Sequence, residues 1–172
     1  MGQPEAWLRG PVPGIPDPLQ PVAHALIAAR EDVRPAVESL APGQLWLPPG
    51  GAASVGYHLL HLAGSTDRLF TYARGGPLSA AQKATLAAER TLPEPRPPAY
   101  DLLSRWEEVV DRALAQLSET DERTVHAPRL VGRAQLPSSV LGLLAHAADH
   151  ATRHVGQIIT TAKILHGLSV GV

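Results

Sequence analysis

The chain has 172 residues, 44% of them hydrophobic, with a formal net charge of −1 and no cysteine. It is long enough for one domain with a real core, and its near-neutral charge and 4% aromatic content argue against a nucleic-acid or anionic-membrane surface. The absence of cysteine excludes disulfides, thiolate metal sites and a protein-borne cysteine nucleophile. Any metal must therefore take nitrogen or oxygen ligands, and any thiol chemistry must use a thiol from outside.

No apolar run approaches the roughly 18 residues of a transmembrane helix. The stretch Met1 to Pro18 lacks the basic and then apolar pattern of a signal peptide. A cytoplasmic location is expected. Residues 1–17 carry Pro4, Pro11, Pro13 and Pro16 among glycines and read as an irregular N-terminal arm, ordered only by docking.

The domain proper runs from 18 to 168. From Pro18 to Leu40 the residues Leu19, Val22, Leu26, Val33, Val37 and Leu40 recur at helical spacing, with Pro35 as an expected kink. Pro42-Gly43 and Pro48-Pro49-Gly50-Gly51 enclose a loop around Trp46. Ser54 is placed to cap a second helix that ends at Ala73, before Gly75-Gly76-Pro77. On its wheel Val55, His58, His61, Leu62, Ser65, Leu69 and Tyr72 share one face, so two histidines sit on the apolar side.

Ser79 is expected to cap a short helix through Arg90, and four prolines between Pro93 and Pro98 make an extended connector. A third long helix spans Pro98 to Leu117, striped by Leu103, Trp106, Val110, Ala113 and Leu117. Residues 118–136 read as polar and irregular, without a strand. The fourth helix begins near Pro137-Ser138 and ends before Gly167. Its broad face is read as Val140, Leu143, His146, His150, His154, Gln157, Ile158, Thr161, Ile164 and Leu165. Four such helices predict an all-α four-helix bundle, and the long connector after the second permits neighbours that are not sequential.

His146, His150 and His154 stand four apart, each turned only about 40° from the last. A single histidine on an apolar face is usually a satisfied core residue. Five on the inward faces of two helices are different, because burying an unpartnered polar group costs roughly 2–7 kcal/mol and a metal is a common partner for all of them. Two histidines at i,i+4 are a familiar way for a helix to offer two ligands to one ion, with a third from another element. His150 and His154 would supply the pair, and His61 would come across the bundle. His58, His146, Ser65, Tyr72 and Gln157 could orient ligands or line a pocket. His24 and His126 lie outside both clusters. Asp149 and Arg153 read as a surface ion pair, and Trp106 reads as core.

The segments Ser54-Val55-Gly56-Tyr57-His58-Leu59-Leu60-His61 and His146-Ala147-Ala148-Asp149-His150-Ala151-Thr152-Arg153-His154-Val155-Gly156-Gln157 resemble the DinB/YfiT-like family. The resemblance extends from about residue 18 to 168. It implies a bundle that is often a homodimer, with a divalent metal such as zinc or nickel on His61, His150 and His154. His58, one turn earlier, competes with His61 for the second-helix position. Members with assigned activity include metal-dependent S-transferases that use low-molecular-weight thiols such as bacillithiol, and a mycothiol-dependent isomerase.

The resemblance thus implies an S-transferase joining such a thiol to a small electrophile. A metal-dependent hydrolase would use the same ligands, and a non-catalytic metal-binding helical dimer would keep them closed. A small-molecule substrate is expected, and neither nucleic acid nor membrane. Histidines must be neutral to coordinate, so metal affinity is expected to fall through the mildly acidic range.

Overall fold

The computed structural model describes residues 3–41, 43–92 and 94–170. Pro42 and Pro93, read above as loop and connector, lie outside these, as do Met1 and Gly2 of the arm. Five helices form: α1 Gln20–Glu38, α2 Val55–Ala73, α3 Ala80–Thr91, α4 Ala99–Glu119 and α5 Val140–Val170. A hairpin of β1 Pro128–Val131 and β2 Leu136–Ser139 precedes α5.

Cross-helix contacts fix the directions of the bundle. Arg30 meets Asp111 at 2.8 Å and Arg34 meets Glu107, so α1 and α4 are antiparallel. Asp67 meets Arg112, and Gln116 donates to the Phe70 carbonyl, so α2 and α4 are parallel. His58 meets His154 and His61 meets His150, which makes α2 and α5 antiparallel. Two consecutive long helices that run parallel need a crossover as long as themselves. α3 is its return leg. It lies antiparallel along α2, with Gln82 on Asp67 and Thr71 at one end and Glu89 on Arg68 and His61 at the other.

Helix boundaries follow local chemistry. The Ser54 hydroxyl accepts the Tyr57 amide, and Gly75, at φ +82°, lets its own amide close back on the Tyr72 carbonyl after α2. Ser79 and Gln82 form a reciprocal capping box that starts α3. α1 continues through Pro35 for a last turn, and that proline faces solvent, where a missing donor costs least.

The bundle core holds Leu26, Val33, Leu59, Leu62, Trp106, Val110, Leu117, Leu144 and Ile158, all essentially inaccessible. Burying each such side chain stabilises by about 1.5–3 kcal/mol. The arm is docked on α1: Arg9 chelates Glu31 at 2.7 Å, the Gln20 side chain bonds Val12 and Ile15, and Ala6 and Ile15 are buried.

Three expectations change. Residues 128–139 form strands, pairing Pro128 with Ser139 and Val131 with Leu136. α5 starts at Val140, after the hairpin, and runs past Gly167 to Val170. Its core stripe is Val140, Leu144, Ala147, Ala151, Val155, Ile158, Ala162 and Leu165, whereas His146, Gln157 and Ile164 are exposed. The histidine row therefore borders the core face rather than lying at its centre. Among the described residues no helix is long and apolar enough to cross a membrane.

Candidate metal centre

The α2–α5 seam brings His61, His150 and His154 together, one ligand nitrogen of each lying within 4.8 Å of the others. The ring centroids of His150 and His154 are 4.5 Å apart, and His61 is 4.7 Å from His154 and 5.1 Å from His150. The Nε2 atoms of His61 and His150 are 3.0 Å apart. Two nitrogens on one tetrahedral zinc stand about 3.3 Å apart, given bonds of roughly 2.0–2.1 Å. The His61–His150 pair therefore already stands near the spacing of two ligands on one divalent ion, and His154 completes the set within 4.8 Å. All three rings are half-buried, so the cluster borders solvent on one side.

His61 is held on both sides. The Tyr57 ring stacks on it at 5.9 Å, 3° from parallel. Its Nδ1 lies 2.9 Å from Glu89 Oε2. An ionised carboxylate can only accept, so Nδ1 carries a proton and Nε2 is the nitrogen turned toward His150. Glu89 in turn accepts two hydrogen bonds from Arg68, at 2.6 and 3.0 Å. Glu89 and Arg68 are only 6% and 8% exposed, so this is a buried, fully paired carboxylate. Burial alone would raise the Glu89 carboxyl, but the bonds from His61 and Arg68 outweigh it and hold the group below its ordinary value. Gly64 makes room for the pair: a Cβ there would stand 2.1 Å from Glu89 Oε1.

His58 is buried one turn earlier, and its Nδ1 is 3.0 Å from His154 Nδ1. It is not in the converging set, and among the described residues its hydrogen bond goes to a ring rather than to a carboxylate. The remaining predicted residues scatter. His146 is exposed, with its ring 5.7 Å from His150. Gln157 is exposed. Ser65 is buried and donates to the Leu62 carbonyl of its own helix. Tyr72 lies three turns along α2, in the wall of a separate cavity.

Burial, and then the neighbouring His61, pushes His150 down to about 4. Burial followed by His150, His61 and His58 pushes His154 down to about 3. His58 is lowered for the same reasons. Both α5 histidines are therefore neutral throughout the physiological range, the form in which an imidazole can coordinate a metal. Their own protonation thus lies below the mildly acidic range in which the sequence places the loss of metal affinity.

Glu89 and Arg68 were not singled out from the sequence. One signal was available: Arg68 stands seven residues after His61, on the same face of α2, and an arginine on an apolar face needs an anion. Which of the acidic residues would supply it depends on the crossover.

The sequence model of the DinB superfamily matches residues 25–158. The chain belongs to the DinB superfamily. Two solved structures share the fold of this DinB-superfamily chain. A conserved protein from Enterococcus faecalis superposes with TM-score 0.71 at 18% identity, covering 87% of this chain and 97% of its own. YfiT from Bacillus subtilis superposes with TM-score 0.67 at 17% identity, covering 91% and 93%. YfiT is described as a probable metal-dependent hydrolase with an unusual four-helix bundle topology. Among curated proteins none matches this sequence.

Proposed function

We propose that this chain is a metal-dependent enzyme that joins a low-molecular-weight thiol to a small electrophile, with zinc or nickel on His61, His150 and His154. The observation that carries the reading is the convergence of three imidazoles at a cluster bordered by solvent, which leaves room for an exchangeable ligand. A divalent ion there lowers the pKa of a coordinated thiol or water enough to make a nucleophile at neutral pH.

The residues of the chain supply the rest. Glu89 fixes the tautomer and tilt of His61, Tyr57 holds its ring plane, and burial keeps His150 and His154 unprotonated. In S-transfer the thiol proton is released to solvent. Sulfur then bonds to the electrophilic carbon, and the leaving group departs with its electron pair. The absence of cysteine accords with a thiol that arrives as cosubstrate. Hydrolysis is the second reading, favoured by the description of YfiT.

The test begins with metal content on tag-free protein. About one divalent ion per chain is expected, lost in His150→Ala and in His61→Ala. Loaded protein is then given an electrophile such as 1-chloro-2,4-dinitrobenzene with increasing thiol. Consumption that rises with thiol supports the transferase. Turnover of an ester without thiol moves the reading to a hydrolase, and no metal after reconstitution removes both.

A further inference from the structure

A cavity of about 610 Å³ opens between the end of α2, the middle of α3 and the hairpin turn. Leu78, Leu86 and Ala87 give it an apolar wall, and Lys83 and Arg133 stand at the same cavity from opposite elements. The hairpin is not free to drift away. Arg129 donates to the Ala73 carbonyl at 2.7 Å, pinning β1 to the end of α2, and Gln135 closes the turn on Gly132.

The charges in this cavity are unmatched. Every other arginine with a described side chain either pairs with a carboxylate or donates to a neutral oxygen, and among the described residues Arg133 does neither. Lys83 likewise has no carboxylate partner among the described residues. An unpaired guanidinium offers a fork of donors to an anion, and an ammonium adds a point charge. An apolar wall beside such a pair suits one kind of molecule.

We propose that this cavity binds a small organic anion with an apolar body, its carboxylate or sulfonate between Lys83 and Arg133 and its body against Leu78 and Leu86. Leu86 precedes Glu89 by three residues on α3, about 4.5 Å of rise, so one helix carries both the wall of this cavity and the carboxylate that holds His61. That the anion is the substrate rests on the metal-enzyme reading. That the cavity binds it does not.

The probe is 8-anilinonaphthalene-1-sulfonate, with neutral N-phenyl-1-naphthylamine as its uncharged counterpart, followed by fluorescence on the full chain with and without EDTA. The sulfonate should bind more tightly than the neutral dye. Lys83→Met with Arg133→Gln should weaken the sulfonate about 10- to 100-fold, the range of charge-assisted hydrogen bonds, and leave the neutral dye within about twofold. Both substitutions are at exposed positions, and far-UV circular dichroism checks the fold. Leu86→Trp should weaken both dyes by filling the space, whereas Ser39→Trp, at an exposed position in the α1–α5 groove, should weaken neither.

Equal affinity for the two dyes, an unaffected double variant, or loss through Ser39→Trp instead of Leu86→Trp overturns the proposal. Sulfonate binding that survives in His150→Ala supports the cavity independently of the metal. If binding holds while loaded protein turns over nothing, the enzyme reading falls and the site stands.

Discussion

His58 and His61 lie one turn apart on the same helix, and in the sequence His58 competes for the position that the family resemblance gives to His61. Their surroundings differ. His61 has an ionised carboxylate on Nδ1, delivered by α3, and its Nε2 meets His150 at 3.0 Å. His58 has a neutral ring as its partner, and burial lowers its own basicity. An anion on the far nitrogen fixes the tautomer and raises the donor strength of the near one. A neutral imidazole does the first only weakly and the second hardly at all. The position of a helix that contributes no metal ligand thus distinguishes the two.

The largest effects that would sharpen this contrast come from the ligands. His61→Ala should reduce metal affinity more than 100-fold, since structural zinc sites derive about 10–16 kcal/mol from four ligands. His58→Ala should cost less than about tenfold, read by competition against a fluorescent zinc chelator. Equal losses would erase the distinction. Next comes the carboxylate. Removing one member of a buried ion pair costs about 3–5 kcal/mol by stranding the other, so the informative variant is Arg68→Met with Glu89→Gln. It leaves no unpaired charge, and metal affinity should fall about 10- to 100-fold, the usual range for such partners. Full affinity in a folded double variant would show that the carboxylate is only structural.

Gly64→Ala attacks the same pair from beneath. Its new Cβ would press on Glu89 Oε1 and Arg68 Nη1, so stability should fall by about 1–3 kcal/mol in urea denaturation. Metal affinity should drop with it. Unchanged affinity would mean that His61 holds its position without Glu89.

Titration separates the ends of the cluster more gently. In apo protein His150 and His154 sit near 4 and 3, against about 6.5 in the unfolded chain. Between these values the unfolded state binds more protons, so stability is full above pH 6.5 and declines as pH falls toward 4. His154→Asn should flatten that decline in denaturation curves taken with EDTA. An equally steep fall would place the acid sensitivity elsewhere.

Much of this site was legible in the chain, for physical reasons that also mark where legibility ends. Ser54 and Gly75 bracket α2 because a hydroxyl cap and a positive-φ residue are local devices, and the i,i+4 spacing on α5 is local too. The hairpin was not legible. Its strands are four residues long, carry exposed Leu130 and Leu136, include Pro137, and are held by Arg129 from outside. The α5 stripe was drawn through histidines because its true centre contains Ala147 and Ala151, whose weak hydropathy hides a tightly packed face. Glu89 could not be found because its role arises from a crossover that returns α3 along α2.

The smallest effect concerns a second glycine beside a histidine. Gly156 follows His154 by two residues, within the stretch that carries the family resemblance, and conspicuous position invites a functional reading. Geometry gives a different one. A Cβ at Gly156 meets nothing within 4 Å, the residue is exposed, and the helix around it is regular. Gly64, in contrast, is buried under the ion pair that holds His61. In an exposed helix interior glycine costs roughly 0.5–1 kcal/mol relative to alanine. Gly156→Ala should therefore raise stability by about that amount and leave metal affinity within twofold, the opposite sign to Gly64→Ala. A loss of either in Gly156→Ala would mean that something absent from the isolated chain, a bound molecule or a second copy, approaches the backbone there.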